Sequence, residues 1–244
     1  MRALLAPDIV RMWEAGRDQQ PIDRAISLLA AADAEKSRDE LAALSISRRD
    51  SRLLDLRRQT FGDTLNAFSE CPQCAGRLEI QFSAATIEAT ADDCPNILEM
   101  KLQGMTARFR LPTSIDLAEA IAVGDIDGAR AKLFRRCMLE ARNELGESLS
   151  PDELSAELVA EITERLAAAD PAAEVLLDLR CPFCEHTWQT LFDIAAFFWK
   201  EISAHARRLL HEVDAIARAY GWSEAEILGL SAARRQAYLE LIGA

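Results

Sequence analysis

Six cysteines punctuate the 244-residue chain: Cys71, Cys74, Cys94, Cys137, Cys181 and Cys184. Four of them form two C-x-x-C pairs, Cys71-Pro72-Gln73-Cys74 and Cys181-Pro182-Phe183-Cys184, each with proline after the first cysteine. Two short loops that each offer two thiolates supply the tetrahedral sulfur set that Zn²⁺ prefers. Iron accepts the same four sulfurs, and free or redox-active thiols are a third reading. A thioredoxin-like pair opens a helix after a strand, whereas strand-like alternation follows both pairs here. A disulfide framework belongs to exported chains, and Met1-Arg2-Ala3-Leu4-Leu5-Ala6 meets Pro7 and Asp8 without the apolar stretch of a signal peptide. His186 stands two residues after Cys184; with four cysteines at hand it reads as a turn residue. Cys137 lies in a helical run and reads as a small core residue, while Cys94 has no partner in the sequence. The expected ligands are therefore Cys71, Cys74, Cys181 and Cys184, holding one structural Zn²⁺.

The elements that must position these cysteines are legible around them. With Cys71 aligned on Cys181, Phe82 falls on Phe192, both eight residues past the second cysteine. Leu78, Ile80 and Phe82 alternate with Glu79 and Gln81, and Trp188, Thr190 and Phe192 alternate with Gln189 and Leu191. Val175, Leu177 and Leu179 alternate in the same way before the second pair. Period 2 on both sides of a tight turn predicts a β-hairpin with a metal knuckle at its tip. Two such hairpins make a zinc ribbon, here split, because residues 75–180 separate the pairs where about 15–20 residues is usual. Closure entropy grows only as the logarithm of loop length, so the extra cost is roughly 1.5 kcal/mol. A structural zinc site contributes about 10–16 kcal/mol in small peptides.

Length and composition bound the rest. At about 150 residues per domain the chain is one large domain or two small ones. Half of its residues are hydrophobic and 28% are charged, which excludes wholesale disorder. The net charge of −12 argues against a nucleic-acid binder unless a local basic patch overrides it. Residues 71–180 carry net −9 of that charge, a surface suited to steering a basic partner. No apolar run approaches the roughly 20 residues of a membrane span, so a cytoplasmic chain is expected. Phosphate-binding glycine loops, H-E-x-x-H and G-x-S-x-G are all missing. A closed Cys₄ site leaves no open position for substrate, so no catalytic residues and no enzyme activity are expected.

The pattern along the chain predicts an α+β protein that is mostly α-helical: a split zinc ribbon of two C-P-x-C hairpins, a helical insert between them and a long C-terminal helix. Residues 1–64 form an N-terminal helical region, with helices opened by Pro7 and Pro21 and a further one from Ser47 to Leu56. Arg48, Arg49, Arg52, Arg57 and Arg58, mixed with Asp50, Asp55 and Asp63, read as a solvated face laced with ion pairs. The hairpins occupy 65–83 and 175–193. The acidic helical insert spans 84–174, with a strand over Ala107–Leu111, a helix capped by Thr113 or Ser114, and helices over about 126–145 and 151–169. Residues 194–244 hold the long helix and two short ones. Ile194, Phe198, Ile202, Ala206, Leu209, Val213, Ile216 and Tyr220 make one apolar stripe, with Phe197 and Trp199 toward its margins. The two short helices carry Arg234 and Arg235 among glutamates and read as a packing cap rather than a DNA-reading pair.

The order of motifs then resembles a known family. It runs Arg48-Arg49-Asp50-Ser51-Arg52-Leu53-Leu54, Thr60-Phe61-Gly62 and the first cysteine pair. Arg110-Leu111-Pro112-Thr113-Ser114-Ile115-Asp116-Leu117, Asp170-Pro171 and the second pair follow. Phe192-Asp193-Ile194, Trp199-Lys200-Glu201-Ile202, Tyr220-Gly221-Trp222-Ser223-Glu224 and Arg234-Arg235-Gln236-Ala237-Tyr238-Leu239 close it. Over about residues 20–242 the chain is similar to baseplate-associated proteins of phage-tail-like contractile injection particles, and to baseplate hub assembly proteins of contractile-tailed phages. The resemblance implies an accessory protein that helps to assemble a baseplate or hub, or is built into one, with baseplate or hub proteins as partners. A zinc-ribbon module that binds nucleic acid or regulates transcription is the alternative, and a thiol–disulfide enzyme a third reading. Such knuckles often carry glycine directly after the second cysteine; Ala75 stands there with Gly76 next, which predicts a shifted turn.

Overall fold

The computed structural model describes residues 1–87 and 95–243; Cys94 lies outside the described residues. Pro7 sits in the first turn of α1 (Ala6–Gly16), and Pro21 opens α2 (Pro21–Ala32), positions where proline's fixed φ helps and its missing N–H costs nothing. A capping box of Ser37 and Glu40 starts α3 (Arg38–Ala42), and α4 (Ile46–Phe61) follows. These helices pack around α8 (Ile194–Tyr220), a 27-residue helix capped by Asp193, whose carboxylate accepts from the Ala196 N–H. Ile194, Phe198, Ile202, Ala206, Leu209 and Ile216 of the expected stripe are buried, most of them with Leu28, Leu29, Leu53, Leu56 and Leu65 in the main core. The chain closes with α9 (Glu224–Leu228) and α10 (Ala232–Ile242).

The marginal aromatics of α8 serve this body. A Cβ at Gly16 would stand 2.2 Å from the Trp199 ring, so glycine lets the indole lie on the end of α1. Arg24 covers the indole at 4.8 Å and donates to the Gly16 carbonyl. Phe197 meets Phe192 and lies under the Arg57 guanidinium.

The arginines of α4 depart from the expected solvated face. Arg57 is buried, donates to both carboxylate oxygens of Glu201 at 2.6 and 2.8 Å, and reaches the Gly62 carbonyl. Arg49 is buried as well and donates to Asp50 and Ser114. Helix α4 is packed on several sides, and a planar guanidinium with several partners can be buried where a solvated ion cannot. Arg58 and Asp55 do pair on the surface. Burial pushes the Asp50 carboxyl upward, against the pull of Arg49, and Asp193 and Asp170 add to the rise.

The insert is less helical than expected. It holds a three-stranded antiparallel sheet in the order β3 (Ile97–Leu102), β4 (Met105–Arg110) and β5 (Met138–Arg142). Between β4 and β5 run α5 (Ser114–Ile121) and α6 (Ile126–Cys137). The helix expected to reach residue 145 stops at Cys137. Phe134, Cys137, Met138 and Ala141 recur at helical spacing, but the last two lie in a strand paired with β4. Tertiary pairing overrides so short a periodic signal. The run expected from residue 151 is likewise broken into a 3₁₀ turn, Pro151–Glu153, and α7 (Ala156–Ala169), which Ser155 caps separately. Phe109, Ala107, Met100, Cys137 and Ile162 form a core distinct from that of the helical body.

Asp116 ties the insert together. Its carboxylate is fully buried and accepts from Arg110 at 2.5 and 2.8 Å, from Arg136 at 2.6 Å, and from the Thr113 N–H and hydroxyl. Burial opposes its ionisation, but Arg110, Thr113 and Arg136 outweigh it and hold the carboxyl below the usual range. Removing one member of such a network strands buried charge, so Asp116→Ala is expected to cost about 3–5 kcal/mol in urea unfolding. A lowered folded pKa contributes stability that is complete above the ordinary Asp value and lost as pH falls through the lower one. The urea midpoint of the wild type should therefore fall more steeply than that of Asp116→Asn as the pH drops below about 4.

Candidate metal centre

Each cysteine pair sits on a hairpin whose register delivers it to the tip. Strand β1 (Thr64–Glu70) pairs antiparallel with β2 (Arg77–Ser83) from Thr64↔Ser83 to Glu70↔Arg77. Strand β6 (Leu176–Arg180) pairs with β7 (Thr187–Leu191) from Leu176↔Leu191 to Arg180↔Thr187. Residues 71–76 and 181–186 are the two tips, and their backbones match. Cys71 N–H donates to the Gly76 carbonyl at 2.9 Å and Cys181 N–H to the His186 carbonyl at 2.8 Å. Ala75 N–H returns to the Cys71 carbonyl and Glu185 N–H to the Cys181 carbonyl.

The expected shift of the first turn does not occur. Ala75 takes φ +58° and its counterpart Glu185 φ +62°, because the return of that N–H to the first cysteine's carbonyl dictates the conformation. Gly76 has a different task. A Cβ there would stand 2.6 Å from the Phe183 ring and 3.2 Å from Cys74 Sγ, so the glycine admits a side chain of the opposite knuckle. A non-glycine residue in the left-handed region costs about 1–2 kcal/mol. Ala75→Gly should raise the denaturant midpoint, whereas Gly76→Ala should lower it; equal effects of the two would contradict this division of labour.

The hairpins are separate two-stranded sheets that meet through side chains. At their bases the aligned phenylalanines, Phe82 and Phe192, stand edge to face with centroids 5.4 Å apart. Leu78, Cys71 and Cys181 are buried between the hairpins, with Ile80, Cys184 and Trp188 around them. At the tips Cys71 Sγ lies 3.6 Å from Cys184 Sγ, Cys74 Sγ lies 3.6 Å from Cys181 Sγ, and all four sulfurs are within 4.8 Å of one another. A disulfide needs about 2.0 Å, and these cysteines are free thiols. Four sulfurs at 2.3 Å from a tetrahedral ion stand about 3.8 Å apart, so the donor set fits a single metal ion.

The electrostatics agree with the fit. Burial opposes ionisation of Cys181, but the N–H groups of Cys184 and Phe183 and the thiols of Cys74 and Cys184 outweigh it, lowering the pKa to about 7. At Cys184 the His186 N–H favours the thiolate, yet burial and the thiols of Cys74, Cys71 and Cys181 prevail and push it up to about 12. One thiolate thus suppresses its neighbours, a repulsion that a bound cation removes.

Among the described residues no other group of three or more His, Cys, Asp and Glu side chains converges in this way. His186 contributes a carbonyl to the turn and stacks its ring on Trp188, outside the sulfur set. Cys137 is buried in the insert core, where burial first and Asp116 second push its thiol up to about 11. His205 packs against Phe61. Arg235 is buried, donates to Glu212 and the Leu230 carbonyl, and so is spent inside the C-terminal cap. Sequence reasoning placed the four cysteines but missed the roles of Gly76 and Phe183; the signal was the pairing of a large and a small residue at unmatched positions of two otherwise matched knuckles.

A family model described as T4 bacteriophage base plate protein matches residues 8–199, a span that holds α2 to α7, the insert, all four clustered cysteines and the first residues of α8. The chain belongs to this family of phage baseplate proteins. No curated protein and no solved structure matches it. Among the described residues no helix is long and apolar enough to cross a membrane.

Proposed function

We propose that this chain is a non-enzymatic accessory or structural protein that assists assembly of the baseplate or hub of a phage-tail-like contractile particle. Its family carries the reading. Its partners are other baseplate or hub proteins, met in the cytoplasm during assembly or within the particle itself. The chain works as an N-terminal helical region, two knuckle hairpins, an acidic insert and a C-terminal helical region. Cys71, Cys74, Cys181 and Cys184 hold one structural Zn²⁺, which closes the two hairpins into a split zinc ribbon. The convergence of four free thiols from distant segments supports this part. A Cys₄ set fills a tetrahedral ion's coordination and favours a structural over a catalytic use.

Two measurements test the reading. Protein purified without added metal should contain about one equivalent of zinc per chain, and Cys184→Ser should lose that metal and melt at a lower temperature. A folded, monodisperse sample without metal would refute the site; iron in its place would show in the visible absorbance. Deleting the gene from its cluster should yield particles with missing or incomplete baseplates by electron microscopy, alongside normal sheath proteins. Complete, functional particles would reject the assembly role, and salt-sensitive retention on DNA would then bring the nucleic-acid alternative forward.

A further inference from the structure

The two knuckles match in backbone but not in their treatment of solvent. Cys71 and Cys181 are buried, Cys184 is half-buried and Cys74 is exposed, so one ligand of the proposed metal stands on the open side. Beside it lies a side chain that the fold does not otherwise explain. Phe183 is 69% exposed, a costly state for a phenyl ring at the tip of a turn. Its N–H donates to Cys181 Sγ at 3.4 Å, and its ring crosses to the other knuckle, onto Gly76. The ring and Cys74 Sγ flank the same point, the place a Gly76 Cβ would occupy. The reciprocal positions are Gln73 and His186; the large-on-small arrangement exists only on the Cys74 side.

We propose that Phe183, seated on Gly76, is a partial lid beside the exposed ligand Cys74 that slows removal of the bound metal. This rests on the proposed Cys₄ site and adds the device that governs exchange at it. A closed site gives up its metal when an incoming donor bonds to the ion, a metal–sulfur bond breaks, and the departing thiolate takes a proton from water. Cys74 is the thiolate that solvent reaches, and the phenyl ring occupies the approach beside it. Phe183 acts through Cys74 and Gly76 and is thus a positioning residue of the site. Outer partners of metal ligands typically change metal affinity by about 10–100-fold when removed.

The test uses the full chain loaded with Zn²⁺ and an excess of a chromogenic pyridylazo chelator, with metal transfer followed by absorbance. Phe183→Ala is expected to release zinc on the order of tenfold faster than the wild type, with one equivalent at the start and little change in melting temperature. Phe183→Tyr should restore slow release. Phe68→Ala, which removes an equally exposed ring (73%) on the outer face of β1, should release at the wild-type rate. Should Phe183→Ala fail to retain metal on purification, Phe183→Leu replaces it, with an intermediate rate expected. Wild-type release from the variant that holds zinc overturns the lid and leaves the metal site standing. A wild-type chain that binds no metal overturns the site and the lid together.

Discussion

The arrangement depends on bringing two cysteine pairs more than a hundred residues apart in sequence to within 4.8 Å. No ladder of backbone hydrogen bonds links the two hairpins, so their union rests on the thiols, on a small apolar layer and on the Phe82–Phe192 contact. The helical body makes this possible by holding the bases of both hairpins. Leu65 and Ala84 are buried in its core, and Phe82 and Phe192 pack against the same cluster. With the bases fixed, most of the closure entropy is met before the tips meet. A metal ion bound at the tips would complete a joint that is already approximately built, and its binding free energy would act on that joint rather than on the whole chain.

Burial of charge follows the same economy. Arg57 with Glu201 joins α4 to α8, Arg49 with Ser114 joins α4 to the insert, and Asp116 with Arg110 and Arg136 joins β4, α5 and α6. In each case the buried ion stands where two elements meet, and each guanidinium has two or more acceptors. Paired groups of this kind specify one relative placement, since a slip would strand a charge in a dry site. The insert is joined to the body further by the Ile46 N–H, which donates to the Pro112 carbonyl, and by the short bridge between Ser45 and Thr113. The run Arg110–Leu117 therefore marks a mechanical joint.

For a baseplate protein, such a construction separates stability from contact surface. The helical body, the insert and the pair of hairpins have distinct buried clusters. Apart from the buried Asp116 and Asp170, the described acidic side chains of the insert are wholly or partly exposed, outside the cores of the body and the insert. They are available to neighbours in an assembly without disturbing the packing that holds the centre.

What the sequence determined by itself was whatever local rules and repetition encode. Proline positions, caps and the 3.6-residue stripe placed α1, α2 and α8; the matched alternation around Cys71 and Cys181 placed both hairpins and singled out the phenylalanines that touch. The clustering of the four cysteines was legible because C-x-x-C spacing is a local pattern written twice. Only the tertiary structure decided the rest. Met138–Arg142 became a strand because β4 offered a partner, although the same residues carry helical spacing. Arg49 and Arg57 were buried because the Ser114 hydroxyl and the Glu201 carboxylate arrived from distant segments to join their local partners. Ala75 took the left-handed turn while Gly76 was kept for Phe183, since the requirement there is space for a residue more than a hundred positions away. Local geometry is set by neighbours in the chain, but pairing, burial and close approach are set by neighbours in space, and those are known only once the chain has folded.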